Sequence, residues 1–167
     1  MKNLSIFFTV LIIACFLNIQ TTTAQKKSGT LGDARVTNAL NQTKTPFTVD
    51  NGGMYQVIYE LPNKRNQKVF ITPQPEKFGN VELRLVFSYT SFSEKPPTAE
   101  LANQLLEKNT EQISFWAVQK LDDGSYTIVN MIYVPADLDG KKLDVVMTKI
   151  AFTADEMEER LTKKDEL

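Results

Sequence analysis

Histidine is absent from the 167 residues, and Cys15 is the single cysteine. His/Cys zinc sites, Cys–His nucleophiles and Ser-His-Asp triads therefore have no residues to be built from. The side chain whose charge changes nearest neutrality is missing as well. Carboxylates, lysines, tyrosines and hydroxyls remain, and the chemistry they could do is general acid–base work by paired carboxylates, as in glycoside hydrolysis. Most of the acids fall in turns or on faces expected to point outward, and no spacing brings two together. The chain reads as non-catalytic, with a carboxylate-dependent enzyme as the alternative. Asp137-Leu-Asp-Gly140 invites a calcium reading. Aligning Gly140 with the glycine of an EF-hand loop, however, puts Pro135 and Val146 at the end ligand positions, where acids are needed. Helix capping accounts for these aspartates, and no metal or cofactor is expected.

A set of apolar side chains carries the other functional reading. Ile113–Leu121 and Tyr126–Val134 are β-branched and aromatic runs on either side of Asp122-Asp-Gly-Ser125, a hairpin pattern. A two-residue Asp123-Gly124 turn would pair Trp116 with Met131, Val118 with Val129 and Ser114 with Tyr133. Alternation then places Trp116, Val118, Val129, Met131 and Tyr133 on one face. Trp, Tyr and Met are what partner-binding surfaces favour, so these five are the candidate partner-binding residues. The competing reading is a second buried face. The opposite set, Ile113, Phe115, Ala117, Leu121, Tyr126, Ile128, Ile132 and Val134, is expected to be the core under the helices.

The elements that must position this hairpin follow from pattern and punctuation. Asp33 can cap a short helix with Val36, Ala39 and Leu40 on one face, and Pro46 stops it. Strands are expected over Met54–Leu61, Lys68–Thr72 and Val81–Tyr89. In the last of these, Val81, Leu83, Leu85, Phe87 and Tyr89 should face inward, and Glu82, Arg84 and Ser88 outward. Thr98 opens a helix with Leu101, Ala102, Leu105 and Leu106 as its stripe. After the hairpin, Asp137 or Asp139 caps a helix carrying Leu143, Val146, Met147 and Ile150. Thr153-Ala-Asp-Glu156 is a capping box that starts a last helix with Met157 and Leu161 inward. The expected order is α-βββ-α-ββ-αα, an α+β fold with an antiparallel sheet packed against helices.

Lys2 followed by the apolar run Leu4–Leu17 and a small residue, Ala24, reads as a signal peptide over 1–24. A flexible leader (25–30) and one α+β domain (31–167) complete the chain. Cleavage after Ala24 removes Lys2 and no acid. Of 19 basic and 20 acidic side chains, 18 and 20 then remain, and the charge moves from −1 to −2. Neither value argues for nucleic acid, and no membrane contact is expected after cleavage. The destination is secreted or periplasmic. Two alternatives stay open. Ile12-Ile-Ala-Cys15 resembles a lipobox, which would make an anchored lipoprotein through Cys15. Lys164-Asp-Glu-Leu167 spells an ER-lumen retention address, if the source is eukaryotic.

Three stretches resemble the YbjN-like family, whose fold is that of the class I type III secretion chaperones. They are Leu40…Phe47…Asn51-Gly…Tyr55-x-Val57; Leu105-Leu-Glu-Lys-Asn109 leading into Trp116…Asp123-Gly-Ser125; and Leu143…Met147…Ile150…Ala154-Asp155…Leu161. The resemblance covers about Leu31 to Leu161 and implies a chaperone-like fold and an exported, non-catalytic protein-binding or regulatory module of the bacterial cell envelope. Some members carry a sensory transduction regulator label. It supplies no catalytic residue. The implied partner is a protein segment, with a homodimer, or a self-associating structural envelope protein, as the alternative. Protein recovered from its native host should have the intact mass of a chain beginning at Gln25. A lipid-bearing start at Cys15, or a retained Met1, would overturn cleavage after Ala24.

Overall fold

The computed structural model describes residues 32–62 and 64–165. The expected signal peptide, leader and Cys15 lie outside the described residues, as do Glu166 and Leu167 of the retention-like tail. The fold is α+β. Helix α1 spans Ala34–Thr43 and strands β1 to β5 span Thr48–Val49, Tyr55–Glu60, Asn66–Ile71, Glu76–Phe78 and Val81–Ser93. Then come α2 (Ala99–Lys108), β6 (Phe115–Lys120), β7 (Tyr126–Pro135) and α3 (Gly140–Thr162). All strand pairs are antiparallel, in the order β1-β2-β3-β5-β7-β6, with β4 folded back on β5.

The helix starts follow the expected capping chemistry. Asp33, Thr98 and Asp139 accept from the backbone N–H groups of Arg35, Leu101 and Lys142. Asp139 is thus a cap, as read from sequence. Gly140, the first residue of α3, touches α1: a Cβ there would stand 2.2 Å from the Ala39 carbonyl oxygen. Its N–H donates to Gln42 Oε1 at 3.0 Å. Only glycine lets the two helices approach this closely.

Two expectations fail at α3 and β5. The expected last two helices are one helix, because no Gly or Pro interrupts the residues before Thr153. The stripe Leu143, Met147, Ile150, Ala151, Ala154 and Met157 runs on unbroken and buried, so Thr153 is an interior residue rather than a cap. In β5 the faces are reversed. Arg84, Val86 and Ser88 lie under the helices, and Leu83, Leu85, Phe87 and Tyr89 point the other way. Burying Arg84 and Ser88 is tolerable because both are bonded. Arg84 is 2% exposed, donates to the Thr72 and Pro73 carbonyls and pairs with Asp33. Ser88 Oγ donates to Lys68 O at 2.6 Å.

The core lies on one side of the sheet. Val36, Ala39 and Leu40 of α1 and Leu143, Met147, Ile150 and Ala151 of α3 pack on Tyr55, Val57, Val69, Ile71, Val86 and Val134. A smaller cluster joins Leu105 of α2 and Met157 of α3 to Trp116 and Ile128. Two arginine-centred networks tie the layers together. Asp33 is shared by Arg35 and Arg84, and Arg35 also reaches Glu82 at 2.6 Å. Arg65, before β3, bonds Asp155 and the fully buried Glu158 of α3.

The Arg35 side chain holds the Asp33 carboxyl well below the usual carboxylate range. Burial opposes this, and the Arg35 backbone N–H and Arg84 add to it. The folded value thus lies below the unfolded value of about 3.9. The stability this group contributes is complete above the unfolded value and is lost as pH falls toward the folded one. Asp33→Asn keeps a capping oxygen but leaves Arg84 buried without its carboxylate. Urea unfolding at neutral pH should show a loss of about 3–5 kcal/mol. The variant's stability should also fall less steeply than the parent's below about pH 4. Equal slopes would remove Asp33 from the acid transition.

Candidate functional site

The hairpin that carries the candidate residues is shifted by one position from the expected register. Its loop has three residues, Asp122, Asp123 and Gly124. Leu121 N–H donates to Ser125 O at 2.8 Å, and Gly124 sits at φ +86°. This is the type I turn closed by a left-handed residue that three-residue hairpins use. Asp123 Oδ1 accepts from both the N–H and the Oγ of Ser125. Trp116 therefore stands opposite Asn130, Val118 opposite Ile128, and Phe115 opposite Met131.

The shift splits the five candidate residues between two faces. Trp116 and Val118 turn toward the helices, and Trp116 is 5% exposed among Leu105, Ile128 and Met157. Val129, Met131 and Tyr133 remain together on the opposite face, joined there by Phe115 and Ala117. The expected core set divides in the same way: the β7 members Tyr126, Ile128, Ile132 and Val134 lie under the helices, and the β6 members do not.

The face that keeps Val129, Met131 and Tyr133 extends well beyond the hairpin. Register pairs Tyr89 with Val129, Phe87 with Met131, Leu85 with Tyr133 and Phe70 with Phe87. Phe70 and Phe87 stack at 5.3 Å, Tyr89 meets Phe87 edge-on at 5.3 Å, and Phe92 lies 5.5 Å from Tyr89. Phe115 stacks on Tyr133 at 6.4 Å. Every sheet residue in the two helix-packed clusters belongs to the other face. Among the described residues, then, no helix covers this one. Phe92 at 52% exposed and Tyr133 at 40% mark its solvent side, with Ile58 on β2 at its far end. Sequence reasoning missed Phe70, Phe87, Tyr89, Phe92 and Phe115. The aromatic residues at alternate positions of β5 are the available signal, but alternation alone assigns them to the core.

The polar surroundings of this face are sparse. Tyr133 Oη donates to Glu76 Oε1 at 3.2 Å. Burial, then the Glu76 carboxylate, pushes the Tyr133 phenol up from its ordinary value, and burial does the same at Tyr89. Both phenols are neutral near pH 7. Acids do converge elsewhere: Asp33 with Glu82, and Asp155 with Glu158. In each pair an arginine binds both carboxylates, which makes them ion-paired struts between layers. No His/Cys/Asp/Glu group suited to a metal ion occurs among the described residues. Nor is any described helix long and apolar enough to cross a membrane.

No protein-family model and no curated protein matches the chain.

The split face separates two stabilities. Trp116→Ala should cost about 3–5 kcal/mol in urea unfolding, as for other buried aromatics. Tyr133→Ala should cost no more than about 1 kcal/mol, because the ring is half in solvent and its hydroxyl bonds an exposed carboxylate. Equal losses at the two positions would return Tyr133 to a packed core.

Proposed function

We propose that the chain is an exported, non-catalytic protein-binding module, and that the uncovered aromatic sheet face is its binding surface. The observation that carries this is the run of Phe70, Phe87, Tyr89, Phe92, Phe115, Met131 and Tyr133 across four strands with no helix over it. Phe92 and Tyr133 are exposed, and Phe70, Tyr89, Phe115 and Met131 are half-buried around the buried Phe87; contiguous apolar surface of this kind marks interaction sites. Aromatic and Met side chains are enriched in such interfaces. The YbjN-like resemblance and the signal-like sequence at 1–24 support an envelope location in the same reading.

The size of the face argues for a protein segment as the occupant. Four strands at about 4.8 Å spacing and six residues at about 3.3 Å give a plan area of roughly 380 Å². That is the scale of small, transient interfaces, which bury less than about 1,200 Å² in total, and it is below that of obligate dimers. A single bound segment can cover it.

The full mature chain, crosslinked in its native envelope fraction, should capture a defined set of proteins. Phe92→Ser combined with Tyr133→Ser should abolish capture while changing unfolding free energy by no more than about 1 kcal/mol for each exposed site. Undiminished capture by this stable double variant would remove the face from the function.

A further inference from the structure

On the helix side of the hairpin, away from the aromatic face, a cavity of about 220 Å³ opens between the end of α2, the start of β6 and the outer side of α3. Lys149, Thr153, Glu156 and Arg160 line it from α3 at spacings of four, three and four, which is one stripe of a helix. Lys108 enters from the last turn of α2, and Gln112 and Trp116 close the inner side. Three cations thus face one carboxylate. Among the described residues none of the three forms a salt bridge, and the one side-chain hydrogen bond they make is Arg160 Nη2 to Gln104 Oε1 at 3.2 Å. Position at a helix C-terminus accounts for Lys108 and Arg160. It does not account for Lys149, in the middle of α3.

Two of the residues lining the cavity carry unsatisfied buried donors, Gln112 Nε2 and Trp116 Nε1. Asn130, which stands opposite Trp116 in the hairpin, and Ser114, two residues before it, also have unpartnered buried polar atoms, but neither lines the cavity. Native interiors satisfy nearly all such groups, so the two donors at the cavity wall call for a partner. Trp116 Nε1 and Gln112 Nε2 can only donate. Cations above and donors below suit the same kind of ligand, one rich in acceptors and negatively charged.

We propose that this cavity binds a small oxyanion, phosphate or a small carboxylate, with Lys108, Lys149 and Arg160 neutralising it over the donors of Trp116 and Gln112. The volume has room for roughly seven water-sized groups. That accommodates inorganic phosphate or a compact carboxylic acid and excludes a nucleotide. Glu156 at the rim sets a limit on the charge the site takes. This site is separate from the aromatic face, so neither reading depends on the other.

Trp116 is the only tryptophan in the chain, so its indole N–H gives one assignable signal. The full mature chain, labelled with nitrogen-15, is titrated with sodium phosphate and, separately, with sodium malonate, at ionic strength held constant with sodium chloride. A saturable shift of the indole resonance is expected with at least one of them. Phosphate alone would mark a phosphate site, and malonate alone a carboxylate site. Lys149→Ala combined with Arg160→Gln, both at exposed positions, should weaken the apparent affinity at least about tenfold. No saturable shift with either anion overturns the proposal. So does an equal shift in sodium chloride, or an unchanged affinity in the double variant.

Discussion

The register of the β6–β7 hairpin decides what each side of this molecule offers. Side chains alternate with a period of two, so moving β6 by one position against β7 exchanges its faces. The left-handed backbone at Gly124 makes the three-residue loop possible, and that loop puts Trp116 beneath α2 and α3 rather than among Met131 and Tyr133. Phe115 is sent the other way, onto Tyr133. The small helix-side cluster, the cavity above it and the aromatic face all follow from one turn.

A second constraint keeps the helices on a single side. Arg84 projects from the middle sheet strand β5 toward the helix layer and meets Asp33, the cap of α1. Arg65 at the other end of the domain holds Asp155 and Glu158 of α3. Buried charges are costly unless paired and hydrogen-bonded, and a misplaced layer would strand them. These networks therefore select one arrangement more than they add stability. With α1, α2 and α3 all committed to the same face, a sheet whose two faces are both apolar must leave one of them uncovered.

That double apolarity also explains what could be read from sequence and what could not. Helix starts were legible at Asp33, Thr98 and Asp139, because a capping side chain is a local feature with a local partner. The inward stripes of α1 and of the first part of α3 were legible from spacing. The orientation of β5 was not. Its odd positions carry Leu83, Leu85, Phe87 and Tyr89, and alternation alone assigns that set to the core. The partners that make Arg84 and Ser88 tolerable underneath are Asp33, Thr72 and Lys68, which are distant in sequence. The hairpin was recognised, but Asp-Gly after a further Asp serves a two-residue or a three-residue loop equally well. The candidate set inherited that ambiguity and is divided between the faces: Val129, Met131 and Tyr133 lie on the uncovered one, and Trp116 and Val118 do not.

The outer edge of β6 bears on how a partner could engage. In this register Leu121 bonds Ser125, so the hydrogen-bonded pairs with β7 fall on odd-numbered residues of β6, and the N–H and C=O of Trp116 point away from the sheet. Asn109, at the end of α2, satisfies both. Its Oδ1 accepts from Trp116 N–H at 2.6 Å and its Nδ2 donates to Trp116 O at 3.2 Å. The side chain does what a neighbouring strand would do, and it fixes α2 against β6 as it does so. Lys120 stands at the turn end of the same edge, where a charge discourages pairing. Between them Val118 is the one outward-facing backbone position left, too little for an added strand to grip. At this end of the sheet the edge is closed and the face is open, so recognition here has to act through side chains on the aromatic surface rather than by extending the ladder.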